Sequence, residues 1–224
     1  MMSSLEEARV GPGRHTRSVA VWDPLVRIGH WVLVGAFAVA YLTEGEPLQI
    51  HTWSGYAIAI TVALRILWGF VGPRRARFAD FVVSPSAALA YLRGLVTRKS
   101  PRFVGHSPAG GLMVVMLLVA LLGTAGTGMA TLAIEKNRGP LAPYLGSPAA
   151  EAGVARDPDE AAGGAGGEAR EEGDEDESAM REVHALLANL TLALIAFHVL
   201  GVAVASWAHR ENLVAAMVTG RKKA

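Results

Sequence analysis

The feature that most constrains this chain is a set of four apolar stretches, each about 20 residues long, the length that carries an α-helix across a bilayer. The first opens at Asp23-Pro24, an N-cap residue followed by Pro at the first helical position, and runs through WVLVGAFAVAYL to Thr43. The second covers His51 to Val71 and is stopped by Gly72-Pro73. The third runs from Pro108 to about Leu132 and the fourth from Arg181 to Ala208. Composition agrees: 51% of the residues are apolar, 18% are charged, and the mean hydropathy is +0.31, too high for a domain wetted on all sides. The spans predict an all-α, integral membrane four-helix bundle. No feature suggests nucleic acid; the surrounding lipid is the expected partner of the spans.

The direction of the spans follows from the basic residues. Residues 1–30 hold four Lys/Arg, the 73–106 loop holds seven and the tail after Ala208 holds four, whereas the 44–50 loop holds none. Both termini and the 73–106 loop are therefore expected in the cytoplasm, and the 44–50 and 133–180 loops in the periplasm. Residues 1–20 contain no apolar run, so no cleavable signal peptide is expected. The organisation reads as an N-terminal arm (1–22), a membrane domain (23–208) with spans at about 24–43, 51–71, 108–132 and 181–208, and a cytoplasmic amphipathic tail (209–224). Within the membrane domain, the 139–180 segment, with its run GAGGEAREEGDEDES, has the composition of a disordered loop. After Ser84-Pro85, Leu89, Leu92, Leu95 and Val96 share one face of an amphipathic helix expected on the cytoplasmic surface. Leu213, Val214, Met217 and Val218 repeat that pattern in the tail.

The chain has seven His and no Cys, which excludes disulfides, thiolate metal sites, iron–sulfur clusters and the covalent attachment of c-type haem. Four His lie within the spans, where an ionisable group is costly and needs a reason. His184 and His198 are 14 residues apart, almost four helical turns, so they point the same way at depths ~21 Å apart. His51 opens span two at the level of His184. His30 lies 13 residues before the end of span one, ~20 Å down, level with His198. The four form two pairs, His51 with His184 and His30 with His198, one above the other. Two facing imidazoles in a helix bundle suit the two axial positions of a haem iron. Zinc needs more ligands at one site, and a proton pathway would more naturally alternate His with acids. Two stacked haems fit best.

Other polar and small residues in the spans are less specific. Arg65 lies 14 residues after His51 on the same face, and a haem propionate or a lipid phosphate or carbonyl would satisfy it. Gly29, Gly55 and Gly201 lie within four residues of ligand candidates, where they serve either a flat cofactor or helix packing. The GTAGTG run of span three is accounted for by packing, and Asn189 and Thr191 by interhelical hydrogen bonds. Met113, Met116 and Met129 read as gap filling. His15, His106 and His209 lie outside the spans and read as surface residues, although His106 sits where a quinone head group could approach.

The stretches RIGHW, HTWSGY, RILWGFVGP, ARFADF, GHSPAGG, EVHALLANL, FHVLGV and HRENLVAAMVTGRK together resemble the bacterial di-haem cytochrome b561 family, from about Val21 to Lys223. That family is related to the b-type cytochrome subunits of membrane-bound hydrogenases. The resemblance implies a multi-pass cytochrome of the bacterial inner membrane with two b haems, ligated by His30, His51, His184 and His198. It also implies electron transfer between the quinone pool and a periplasmic redox partner. The 139–180 insertion departs from a compact family member. Over 133–182 the chain carries 13 Asp/Glu against five Lys/Arg, a field that would steer a basic protein such as a c-type cytochrome. Two other functions stand beside electron transfer: a superoxide:quinone oxidoreductase acting at the periplasmic haem, and an anchor subunit of a hydrogenase or dehydrogenase. A haem-free bundle with structural His is the remaining reading.

Overall fold

The computed structural model describes residues 18–43, 46–97, 99–146 and 165–223. Strand β1 (Ser18–Ala20) leads into α1 (Pro24–Thr43), α2 (Leu48–Val71), a 3-10 turn (Arg74–Ala76), α3 (Phe78–Phe81) and α4 (Pro85–Val96). Then come α5 (Pro108–Lys136), α6 (Ala142–Leu145), α7 (Ala165–His209), α8 (Leu213–Thr219) and β2 (Arg221–Lys223). Helices α1, α2, α5 and the Ala179–His209 part of α7 are long and apolar enough to span a membrane.

Helix ends form where the side chains supply the missing partners. Asp23 Oδ1 accepts from Val26 N at 3.1 Å, and Ser107 Oγ accepts from Gly110 N at 3.2 Å, each just before a Pro at the first helical position. Gly72, whose N–H donates to Trp68 O at 2.9 Å, ends α2 ahead of Pro73. Asn137 closes α5 in the left-handed conformation at φ 48°.

The helices pack in sequence order, α1 on α2, α2 on α5 and α5 on α7, around a core of Phe37, Ile58, Val62, Leu118, Leu121 and Ala125. The outer faces stay apolar: Ile60, Leu64, Phe70, Val119, Phe197 and Leu200 are exposed, as expected where lipid replaces water. Interhelical hydrogen bonds add direction. Tyr41 Oη donates to Asn189 Oδ1 at 2.9 Å, and the Thr124 and Thr191 hydroxyls meet at 3.0 Å, Thr191 being fully buried. Both Asn189 and Thr191 thus make the interhelical bonds their sequence setting suggested.

Three expectations need correction. Residues 165–180 are helical and continue span four outward as part of α7, where a disordered loop was expected; residues 147–164 of that segment lie outside the described residues. The Ala, Glu and Arg content favours helix, and extending a helix that a membrane span already nucleates costs little. The helical class holds, with one short strand pair that the sequence reading did not anticipate. β1 and β2 pair antiparallel, with Ser18 opposite Lys223 and Ala20 opposite Arg221. The described end of the arm, from Ser18, and the tail are therefore one structure at one end of the bundle, called here the terminal end. Helix α4 exists, but it docks on α5 with Ala88, Tyr91 and Leu95 buried, leaving Leu89 and Leu92 exposed. Finally, α2 begins three residues before His51, and α5 extends four residues past Leu132.

One close approach fixes how the 73–106 segment meets the bundle. A Cβ on Gly111 would lie 2.4 Å from Phe81 O, a backbone atom that cannot swing aside. Gly111→Ala should therefore destabilise the protein by about 1–3 kcal/mol, read as a lower unfolding midpoint in detergent. Gly105→Ala, at a position open to space, should leave the midpoint unchanged.

Candidate functional site: paired imidazoles at two depths

Helix α7 packs along α5 but makes few contacts with α1 and α2. His side chains reach across that separation. The rings of His51 on α2 and His184 on α7 have centroids 6.1 Å apart, with planes at 80°. Those of His30 on α1 and His198 on α7 are 6.4 Å apart at 55°. Because His184 and His198 are 14 residues apart on one helix, the pairs lie ~21 Å apart in depth. The structure thus brings together the residues that sequence spacing put at matching levels.

The outer ring nitrogens differ between the levels. His51 Nδ1 lies 2.9 Å from Ala40 O. His184 Nδ1 lies 3.1 Å from Thr124 O and 3.2 Å from Thr127 Oγ1. In both rings an Nδ1–H donor satisfies this geometry and leaves the Nε2 lone pair free for a ligand. His30 Nδ1, in contrast, is buried without a partner.

These residues fit a haem. With a metal–nitrogen bond of ~2 Å on either side and half an imidazole added at each end, ring centroids fall ~6 Å apart, as both pairs do. Gly55 and Gly201 face open space on α2 and α7, with nothing within 4 Å of a Cβ at either position. A Cβ on Gly29 would instead meet Thr61 Cγ2 at 3.4 Å, which assigns that glycine to the α1–α2 contact. Arg65 Nη1 is buried without a partner, a cationic donor available to an anionic group such as a propionate. Among the described residues, no three or more His, Asp or Glu converge on one point, so each level offers two imidazoles and no carboxylate.

Sequence reasoning missed two groups of residues. The first is the GTAGTG run, which does more than pack: Thr124 and Thr127 accept from His184, and a Cβ on Gly128 would sit 2.9 Å from His184 Cε1. The available signal was the polar face of α5 at the depth of His184. The second lies at the terminal end. His106 is not an ordinary surface residue: its ring lies 4.2 Å from that of Phe81 and 4.6 Å from that of Trp22, and its Nδ1 is buried without a partner. Trp68 Nε1 is likewise buried and unpartnered. Arg65 lies over the Phe78 ring at 5.3 Å and the Phe81 ring at 5.9 Å, so α3 and His106 close over this end of α2. His209, the other His outside the spans among the described residues, has its Nε2 3.2 Å from Tyr91 Oη; His15 lies outside them.

A helical membrane bundle that presents facing imidazoles belongs to the class of b-type cytochromes. A family model, prokaryotic cytochrome b561, matches residues 21–220, and the chain belongs to that family. It is a membrane b-type cytochrome that acts in electron transfer. No curated protein and no solved structure matches the chain.

Burial, together with the charges of Arg65 and Lys222, pushes the His106 pKa down to about 3. An unfolded chain with an ordinary His binds a proton below about 6.5, whereas the folded one resists it down to about 3. The stability due to neutral His106 is thus complete above pH 6.5 and is lost progressively as the pH falls toward 3. The unfolding midpoint should drop over that window. His106→Phe, which keeps the aromatic packing, should remove this part of the pH dependence.

Proposed function

We propose that this protein is a di-haem b-type cytochrome that exchanges electrons between quinone and a periplasmic redox protein. The observation that carries this reading is the presence of two imidazole pairs at separate depths, 6.1 and 6.4 Å between ring centroids. His51 and His184 hold one haem and His30 and His198 the other. Arg65 binds a propionate of the haem at the terminal end. The haems, when bound, supply reversible one-electron carriage.

The protein's own groups hold, orient and insulate. The Ala40 and Thr124 carbonyls fix the imidazoles of His51 and His184 in the tautomer that presents Nε2. The apolar helix faces keep water from the irons. The terminal end carries the basic residues of the 73–106 segment and the tail, and the positive-inside rule supports a cytoplasmic-side assignment for it in this reading. There the buried Nε1 of Trp68 and Nδ1 of His106 supply polar partners for the carbonyl oxygens of a quinone head group between aromatic rings. At the opposite face the acidic segment steers a basic partner such as a c-type cytochrome, with an on-rate that falls as salt is added.

Mixing the oxidised protein with a short-chain quinol should reduce the b haem rapidly. Trp68→Phe should slow that reduction up to about tenfold through loss of one hydrogen bond, with haem content unchanged. Failure of the wild-type protein to react with quinol, or unchanged rates in both Trp68→Phe and His106→Phe, would contradict the assignment of this end to quinone.

A further inference from the structure

The two His pairs differ in how their outer nitrogens are satisfied, and this difference has an electronic consequence. At the end away from the termini, both rings are anchored: His51 Nδ1 by Ala40 O at 2.9 Å, and His184 Nδ1 by Thr124 O at 3.1 Å together with Thr127 Oγ1 at 3.2 Å. The Thr127 hydroxyl hydrogen has its own acceptors, Gly123 O at 2.9 Å and Thr124 O at 3.1 Å. Its oxygen lone pair therefore faces His184 as an acceptor. At the terminal end, His30 Nδ1 is buried with no acceptor, and the unpaired cationic nitrogen Arg65 Nη1 lies at the same end.

A hydrogen bond from the far nitrogen pushes electron density into the imidazole and makes it a more basic ligand. A more basic axial ligand favours the ferric over the ferrous state and lowers the reduction potential. A ring without such an acceptor is a weaker donor, and a nearby positive charge further favours the reduced iron.

We propose that this asymmetry ranks the two sites, His51/His184 being the lower-potential pair and His30/His198 the higher, and that Thr127 is a positioning residue that sets part of the difference. The proposal rests on the di-haem reading above and assigns Thr127 a role that helix packing alone would not give it. Thr127→Val keeps the shape of the side chain and removes the acceptor, leaving His184 with Thr124 O alone. Thr127→Ser keeps the acceptor.

The test is a spectroscopic redox titration of the purified holoprotein, with haem counted per chain. The wild type should show two b-type components. Thr127→Val should raise the lower one by up to a tenfold change in its one-electron equilibrium, ~59 mV, with two haems retained and the upper component unmoved. Thr127→Ser should restore the wild-type value. His30→Ala should leave only the lower component and His51→Ala only the upper. A Thr127→Val protein with both potentials unchanged would overturn the role of Thr127. Survival of the upper component in His30→Ala would overturn the ranking. If either alanine variant fails to assemble, the component moved by Thr127→Val still identifies the end, and movement of the upper one overturns the ranking. Fewer than two haems in the wild type would instead overturn the di-haem reading beneath the proposal.

Discussion

Four imidazoles held inside an apolar bundle are the constraint on which the rest of this structure depends. Each ring brings two polar nitrogens into a region with no water to satisfy them. For His51 and His184 the helices answer the requirement on the outer side with carbonyls and a hydroxyl, from Ala40, Thr124 and Thr127, whereas His30 Nδ1 is buried without a protein partner. On the other side the rings face each other in pairs. In the proposed reading, a haem iron held by each pair would give that second set of nitrogens a shared electrophilic partner. The separation of α7 from α1 and α2, and the glycines that face open space on α2 and α7, leave room for such a group.

The terminal end obeys different rules. There the chain folds back on itself, with β1 against β2 and Arg27 and Arg75 donating to backbone carbonyls of Val218 and Ala20. Glu211 gathers Arg102 and Lys222 into one ionic cluster, and Lys222 also donates to Phe103 O at 3.3 Å. Burial lowers the Lys222 pKa, with Glu211 opposing that shift and Arg102 adding to it. This scaffold holds the loop before α5 against the end of α2. It leaves three buried polar nitrogens, on Arg65, Trp68 and His106, without protein partners. A folded chain rarely leaves three such groups together unless something else binds them.

Much of this was legible in the sequence, for identifiable reasons. Apolar length fixed the four spans, and 3.6-residue periodicity with alternating span direction put the four His at two levels; both regularities are local and survive tertiary packing. What escaped depends on contacts between distant segments. Leu89, Leu92 and Leu95 were expected to share the apolar face of a helix lying on the cytoplasmic surface, but α4 docks on α5 with Ala88, Tyr91 and Leu95 buried. His106 looked like a loop residue because nothing in GHSPAGG shows that Trp22 and Phe81 will enclose it. Thr127 looked like packing because a Thr in a membrane helix can satisfy its hydroxyl on its own backbone, as this one also does. The acidic run before span four was judged by composition, whereas its helix is an extension of one the membrane span nucleates.

If each His pair holds one b haem, a dithionite-reduced minus oxidised absorption spectrum of the purified protein, with haem counted per chain, will show two b-type haems per chain. One haem would mean that one of the pairs is structural, and none in a folded, haem-replete preparation would mean that neither pair binds haem.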